Sequence, residues 1–400
     1  MILITIQTKD NFLNSILLKK IDRFFGFLFI LFILPLIPLQ KIVKIFLHKL
    51  KKDNDKLAIL KLLGGGSVLI ALPSIIEIKN KFPDKKIILI CFNDVAIFVK
   101  NMDLFDEIII IDKKNIFTLI ISILQNFHNI FYCYKLINLE IYSTLSMIFC
   151  SILMPKELIS LSTSQNYWWV SFLSDKTIFY NLHRPIFFAY NSISKLLETK
   201  KIIFTNACNL YTKSINRLNK TRLIKNIENL KSYDVIAPFC SDIYKERELS
   251  FEHLTKIILD RKKQNNFLLI GTSKEKIKAD CFIKYFFKIN KDKININFIN
   301  LAGSTTFEEC LQVINNSKTF IGIDSGLLYV SRLLNKRIIS FWGPSDPSLR
   351  VEHMRPYEKF YYSQTSCSPC VHLFDTPPCN GNNICMIRHY KETQENIIFI

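Results

Sequence analysis

Acidic side chains are scarce in this 400-residue chain: 34 Asp and Glu stand against 53 Lys and Arg, a formal charge of +19. Lys, Ile and Asn are abundant throughout, so part of the surplus is compositional. The basic balance nonetheless favours anionic membrane and phosphorylated partners. Nucleic acid would satisfy the same charge, but the chain lacks any recognisable nucleic-acid module or basic-aromatic stripe, and no nucleic-acid partner is expected. No cleavable signal peptide is evident either. The first apolar run starts late and no small-residue cleavage site follows it, so the cytoplasm is the default compartment. Hydrophobic content of 49% is high for a soluble chain and too low for a polytopic membrane protein.

What is present suits two domains of ordinary size behind an apolar, basic leader, 1–55. The run FFGFLFILFILPLIPL (24–39) is flanked by Lys19, Lys20 and Arg23 before it and Lys41 and Lys44 after it. It is shorter than the roughly 20 apolar residues of a spanning helix, and Pro35 and Pro38 disturb its end. It reads as an in-plane or re-entrant anchor, with Ile42, Ile45 and Phe46 extending an amphipathic basic helix. A helix packed on the protein itself and a single-span anchor are the alternatives.

Apolar runs at 57–63, 87–92 and 107–111 alternate with helical patterns at 68–81, 116–131 and 141–153, which implies parallel βαβ units over 56–231. Gly64-Gly65-Gly66-Ser67 separates the first strand from its helix, and glycines there let backbone approach a ligand closely. Residues 187–231 read as interdomain helices. A second domain, 232–400, repeats the alternation. In it FIGIDSGLLYVSRLLNKRIISFWGPSDPSL (320–349) places Asp324-Ser325-Gly326 after one strand and Gly343-Pro344 after the next. One acidic loop and one Gly/Pro-shaped loop beyond strand ends can hold hydroxyls and phosphate. Ordinary turn and N-cap chemistry would also produce Asp-Ser-Gly.

The spacing from DSG through a helix to FWGPSDP resembles the C-terminal half of glycosyltransferase family 9, the heptosyltransferase family of lipopolysaccharide assembly. GGGSVLIALPSIIEIKNKFPDKKIILI (64–90) resembles that family's opening motif, and NLEIYS (138–143) a segment of its Gly-Gly-Gly-Ser subgroup. The resemblance implies an α/β GT-B architecture, two Rossmann-like domains facing across a cleft. It also implies inverting, metal-independent transfer of a sugar from a nucleotide-sugar donor to a lipid-linked or lipopolysaccharide acceptor. The protein would sit at the cytoplasmic membrane surface, peripheral or monotopic on the inner face.

The same resemblance supplies roles. Gly64, Gly65, Gly66, Ser67 and Glu140 would line the acceptor side. Many members carry Asp where this chain has Ser67, and that Asp is taken as the general base. A serine cannot fill the role at neutral pH without a partner, which leaves Asp94 and Glu140 as alternatives. Arg247, with Lys245 second and Ser241 beside them, matches the segment that neutralises the donor diphosphate, where a fixed guanidinium substitutes for a metal. Gly271, Thr272 and Glu275 would face the ribose. Asp324, Ser325, Gly326, Gly343 and Pro344 would hold sugar and diphosphate, and Tyr329 replaces a histidine common in the family.

Cys367, Cys370, Cys379 and Cys385 gather near the end, and the other seven cysteines are scattered, as for thiols in a reducing compartment. The cluster resembles a structural zinc knot. Its uneven second half lacks the second CxxC of a zinc ribbon, so buried free thiols or a labile disulfide stand beside that reading. The competing function is a non-catalytic, glycosyltransferase-like binding or scaffold protein that lost its base, as Ser67 and Tyr329 would suggest. A zinc-dependent nucleic-acid binder is a third.

Overall fold

Two separate six-stranded parallel sheets account for the alternation of apolar runs. The computed structural model describes residues 15–50, 55–240, 245–261, 264–290, 295–371, 377, 379 and 382–386. The chain divides into one unit of 1–65, 77–182 and 192–200 and a second of 66–76, 183–191 and 201–400. Most of the helical stretch expected to connect the domains therefore clusters with the second.

The helices before and within the first sheet are α1 (Ser15–Ile33), α2 (Ile37–Leu50), α3 (Gly65–Lys81), α4 (Asn93–Val99), α5 (Ile116–Ile130), α6 (Thr144–Ile152) and α7 (Tyr167–Leu173). Its strands are β1 (Lys56–Leu60), β2 (Lys86–Phe92), β3 (Glu107–Ile111), β4 (Lys135–Asn138), β5 (Glu157–Ser162) and β6 (Lys176–Phe179), in the order β3-β2-β1-β4-β5-β6. β1 pairs with β2 through Leu57 and Ile87 and with β4 through Leu57 and Lys135. Continuous apolar sequence in β1 and β2 follows from burial on both faces. On one face Ala58, Leu60, Ile88 and Ile90 share a core with Met147 and Ile148 of α6 and Trp169 and Val170 of α7.

The apolar leader joins that core. A 3-10 turn at Leu34–Leu36, which contains Pro35, links α1 to α2, and Ile30 and Ile37 are buried with the α6 and α7 residues. The neighbouring side chains Phe27, Phe32, Leu39 and Phe46 stay exposed. The helix is thus packed on the protein along one face and open on the other.

Connecting helices α8 (Ile186–Leu196), α9 (Phe204–Asn216) and α10 (Arg222–Glu228) precede the second sheet. Its strands are β7 (Asp234–Ala237), β8 (Asn266–Leu269), β9 (Asn297–Asn300), β10 (Thr319–Ile323), β11 (Arg337–Trp342) and β12 (Glu358–Tyr362), ordered β12-β11-β10-β7-β8-β9. Helices α11 (Phe251–Leu259), α12 (Lys276–Asn290), α13 (Phe307–Asn316) and α14 (Gly326–Leu333) connect them. In both sheets the strand order reverses at one point, between β1 and β4 in the first and between β7 and β10 in the second. Loops leaving the carboxyl ends of such a strand pair diverge and open a crevice.

Several boundaries differ from the sequence reading, each for a local reason. The helix expected from 141 begins at Thr144, because Ser143 accepts from the Ser146 N–H and caps it. The helix expected from 68 already begins at Gly65, after the left-handed Gly64 (φ +84°). Gly65 and Gly66 are helical and lie under rings. A Cβ on Gly65 would meet Phe98 Cε2 at 2.2 Å, and one on Gly66 would meet Tyr329 Cδ2 at 2.8 Å. Of the three glycines only Gly64 has a positive φ, while Gly65 and Gly66 make room for these rings.

Candidate active site

The crevice of the second sheet is built by the segment after β7 and the turn after β10. Arg247 closes a 3-10 turn, Lys245–Arg247, on the first of these. Its Nη1 donates to the Asp324 carbonyl oxygen at 2.6 Å and lies 3.7 Å from Asp324 Oδ2. The Tyr329 hydroxyl, one turn into α14, donates to Asp324 Oδ1 at 3.0 Å. Burial, followed by the Asp324 carboxylate, pushes the Tyr329 phenol far above its ordinary range, so it stays a donor. Asp324 is thereby fixed from two sides and faces the start of α14. Ser325 stands at the N-cap of that helix without capping it, and its Oγ is buried with no hydrogen-bond partner. A guanidinium, an oriented carboxylate and an unused buried hydroxyl at a helix start suit a phosphorylated ligand.

Other expected donor-side residues have occupations within the fold. The Thr272 N–H donates to Glu275 Oε2 at 2.5 Å, so that carboxylate holds its own turn closed. Gly271 lies against it: an added Cβ would meet Glu275 Oε2 at 2.5 Å. Gly343 lies under the C-terminal cysteines, where a Cβ would meet Cys385 Sγ at 2.7 Å and Cys385 Cβ at 2.9 Å. The Pro344 carbonyl accepts from the Cys370 and Val371 N–H groups, both at 2.9 Å. The close approach that Gly343 permits is that of the tail. Ser241 and the side chain of Lys245 lie outside the described residues.

In the first unit the crevice between β1 and β4 is closed by Glu140. Its Oε1 accepts from Lys61 Nζ (3.0 Å) and from the Leu62 and Leu63 N–H groups (2.7 and 2.9 Å). The carboxylate ties the loop after β4 to the loop after β1 and does not cap α6. Sequence reasoning missed Lys61, whose lone basic side chain at the end of an apolar strand was the available signal. Asp94 starts α4, exposed and ion-paired with Lys113. Ser67 sits half-buried in the first turn of α3.

The four cysteines of the tail lie close enough to act on one another's thiols. No cysteine among the described residues is in a disulfide, and no group of three or more His, Cys, Asp or Glu among them is placed to hold a metal ion. Cys370 and Cys385 are buried. Burial, then the nearby thiols, push Cys385 up to about 12 and Cys370 up to about 11.

The family model described as glycosyltransferase family 9 (heptosyltransferase) matches residues 220–379. That match contains both Arg247 and the Asp324 turn. Residues 220–379 are a glycosyltransferase family 9 domain. The match supports glycosyltransferase activity, and the two sheets of the chain are those of the GT-B fold. A glycosyltransferase family 9 structure from Veillonella parvula is similar, with TM-score 0.57 and 14% identity over 77% of this chain and 86% of that one. The E. coli ADP-heptose lipopolysaccharide heptosyltransferase II is similar with TM-score 0.57 and 13% identity, over 84% of this chain and 97% of that one. E. coli heptosyltransferase WaaC, solved with ADP, gives TM-score 0.54 and 14% identity over 76% and 92% of the two chains. No curated protein matches the chain.

Proposed function

We propose that the chain moves a sugar, a heptose by analogy with the E. coli enzymes, from a nucleotide-diphosphate donor to a lipopolysaccharide or other cell-surface glycan. The observation that carries this reading is the convergence of Arg247 and Tyr329 on Asp324, beside the buried Ser325 hydroxyl. In the reaction an acceptor hydroxyl attacks the anomeric carbon with inversion. The bond from that carbon to the diphosphate oxygen breaks, and the electron pair leaves with the nucleotide diphosphate. Arg247 and the amides opening α14 meet the charge that develops, and the hydroxyl proton passes to a base. Asp324 hydrogen-bonds sugar hydroxyls from its fixed position. The bases open to test are Asp94 and Glu140, with Ser67 in the family's usual place.

Titration with ADP, GDP and UDP tests the reading. A ligand at a hundredfold excess over its Kd raises unfolding free energy by about 2.7 kcal/mol, and Asp324→Ala should remove most of that shift. No shift with any of the three would overturn donor binding. A non-catalytic binding protein is the second reading, favoured because Glu140 is held by three donors and Asp94 by Lys113. Nucleotide binding without release of nucleotide diphosphate from ADP-heptose in the presence of acceptor would support it.

A further inference from the structure

The first unit carries an apolar surface that its own fold leaves uncovered, and it is wider than the leader alone. Helix α5 has no Asp, Glu, Lys or Arg in fifteen residues. Its inner stripe, Leu119, Ile123 and Phe127, packs on the core, whereas Phe117, Ile120, Ile121 and Leu124 form an outer stripe at helical spacing. Phe117 is 74% exposed. Helix α7 behaves alike: Trp169, Val170 and Leu173 are buried, and Trp168 and Phe172 are exposed. The core residues of α1, α2, α5, α6 and α7 belong to one cluster on one face of the sheet, so their outer stripes share a side of the unit.

The leader is fastened at points from Asp22 to Leu47. Near its start, Asp22 accepts from the Ser143 hydroxyl (2.7 Å) and the Thr144 and Leu145 N–H groups (2.9 and 2.8 Å). A Cβ on Gly26 would meet Thr144 Cβ at 2.7 Å, so the helix lies directly on α6. Farther along, Gln40 Nε2 donates to the Ser151 carbonyl (2.6 Å), Lys44 pairs with Asp175 (2.5 Å), and the Tyr132 hydroxyl donates to the Leu47 carbonyl (2.9 Å). The helical run Lys20–Leu47 is long and apolar enough to cross a membrane. A crossing, however, would draw α6, α7 and the β5–β6 edge with Glu157 and Lys176 into hydrocarbon, where such charges are costly.

We propose that the first unit docks on an anionic bilayer surface with α1 and α2 lying in the plane, and that α5 and α7 enter the same interface beside them. Charge chooses the occupant. Residues 15–50 hold six Lys and Arg and a single acid, Asp22, whose carboxylate is turned inward. Exposed Lys20, Lys41 and Lys49 flank the apolar stripe, the pattern of an interfacial helix that meets acidic headgroups. The inference rests on the packing of this unit and stands whether or not the sugar chemistry is right.

The test uses the full chain with vesicles of phosphatidylcholine, with and without phosphatidylglycerol. Binding should favour the anionic vesicles and weaken with salt. Phe117→Asp with Leu124→Asp, outside the leader, should cut binding about tenfold or more, with thermal unfolding and the nucleotide shift unchanged. Of the three tryptophans, Trp169 and Trp342 are 7% and 1% exposed, so quenching by brominated acyl chains reads Trp168, 56% exposed. It should quench, and Trp168→Phe should abolish the effect. In a Cys281→Ser background, Lys20→Cys and Lys49→Cys should both react with an impermeant maleimide from the same side of the membrane. Labelling from opposite sides, an unquenched Trp168, or an α5 variant that only breaks a dimer without altering vesicle binding would each overturn the proposal.

Discussion

Arg247 Nη1 lies 2.6 Å from the Asp324 carbonyl oxygen, so one guanidinium bridges the segments that leave β7 and β10 where the second sheet reverses its order. The bond orients the side chain over the turn after β10. Arg247→Lys keeps the charge but loses the planar fork. Turnover should fall about 10²-fold, the usual cost of one transition-state donor, with the melting temperature within a few degrees of wild type. Equal loss of kcat and kcat/KM would mark an interaction made in the transition state. An unchanged kcat would remove Arg247 from the chemistry.

Glu140 makes the matching bridge in the first sheet, from the loop after β4 to the loop after β1, but it satisfies the amides itself. Its side chain and that of Lys61 are 10% and 7% exposed, so Glu140→Ala strands a buried ammonium and should cost about 3–5 kcal/mol. Glu140→Gln, which can still accept from the Leu62 and Leu63 N–H groups, separates structure from catalysis. As a loop clamp it lowers the melting temperature and reduces kcat less than about tenfold. As the general base it would instead lose about 10²–10⁴ in rate at unchanged stability. Asp94→Asn, measured alongside, reports on the exposed alternative.

The alternation of apolar runs made both parallel sheets legible, and strands such as β3, β10 and β11 fall where the sequence reading put them. The structure brings Arg247 and Asp324 together, but the family resemblance singled them out, since an Asp-Ser-Gly turn and a charged loop also serve as ordinary caps and solvated surface. What sequence hid was competition for those same chemistries inside the fold. Glu275 has the look of a ribose ligand, yet its carboxylate closes its own turn. Gly343 has the look of a phosphate loop, yet it admits Cys385. Each case needs the third dimension, since spacing along the chain says which residues can meet but not which partner arrives first.

Gly343→Ala tests the tail's grip on the loop after β11. The added methyl would sit 2.7 Å from Cys385 Sγ and 3.1 Å from Met386 Sδ, and overpacking of this kind costs about 1–3 kcal/mol. Burial holds the Cys385 thiol near 12, so in the wild type it should react slowly with maleimide at neutral pH. The variant should label Cys385 faster by peptide mapping while the exposed Cys281 is unaffected. No change in Cys385 labelling would mean that the tail does not lean on Gly343.

Acid sensitivity of the second unit should trace to Glu358. Burial by itself would raise this carboxyl, but the Arg332 guanidinium, then Arg355, outweighs burial and holds it below its ordinary value of 4.5. Arg332 Nε donates to Glu358 Oε1 at 2.9 Å and Arg355 Nη2 to the same oxygen at 2.8 Å, which fastens α14, the helix that carries Tyr329, to β12. A carboxyl whose folded pKa is depressed contributes its full stabilisation above the unfolded pKa and loses it as pH falls through the folded value. The wild type should therefore lose stability progressively below about pH 4.5. Glu358→Gln should be destabilised by about 3–5 kcal/mol at neutral pH, since two guanidinium groups lose their counter-charge, and should lose less on acidification. Parallel stability-versus-pH curves for the two proteins would assign the acid transition to another carboxylate.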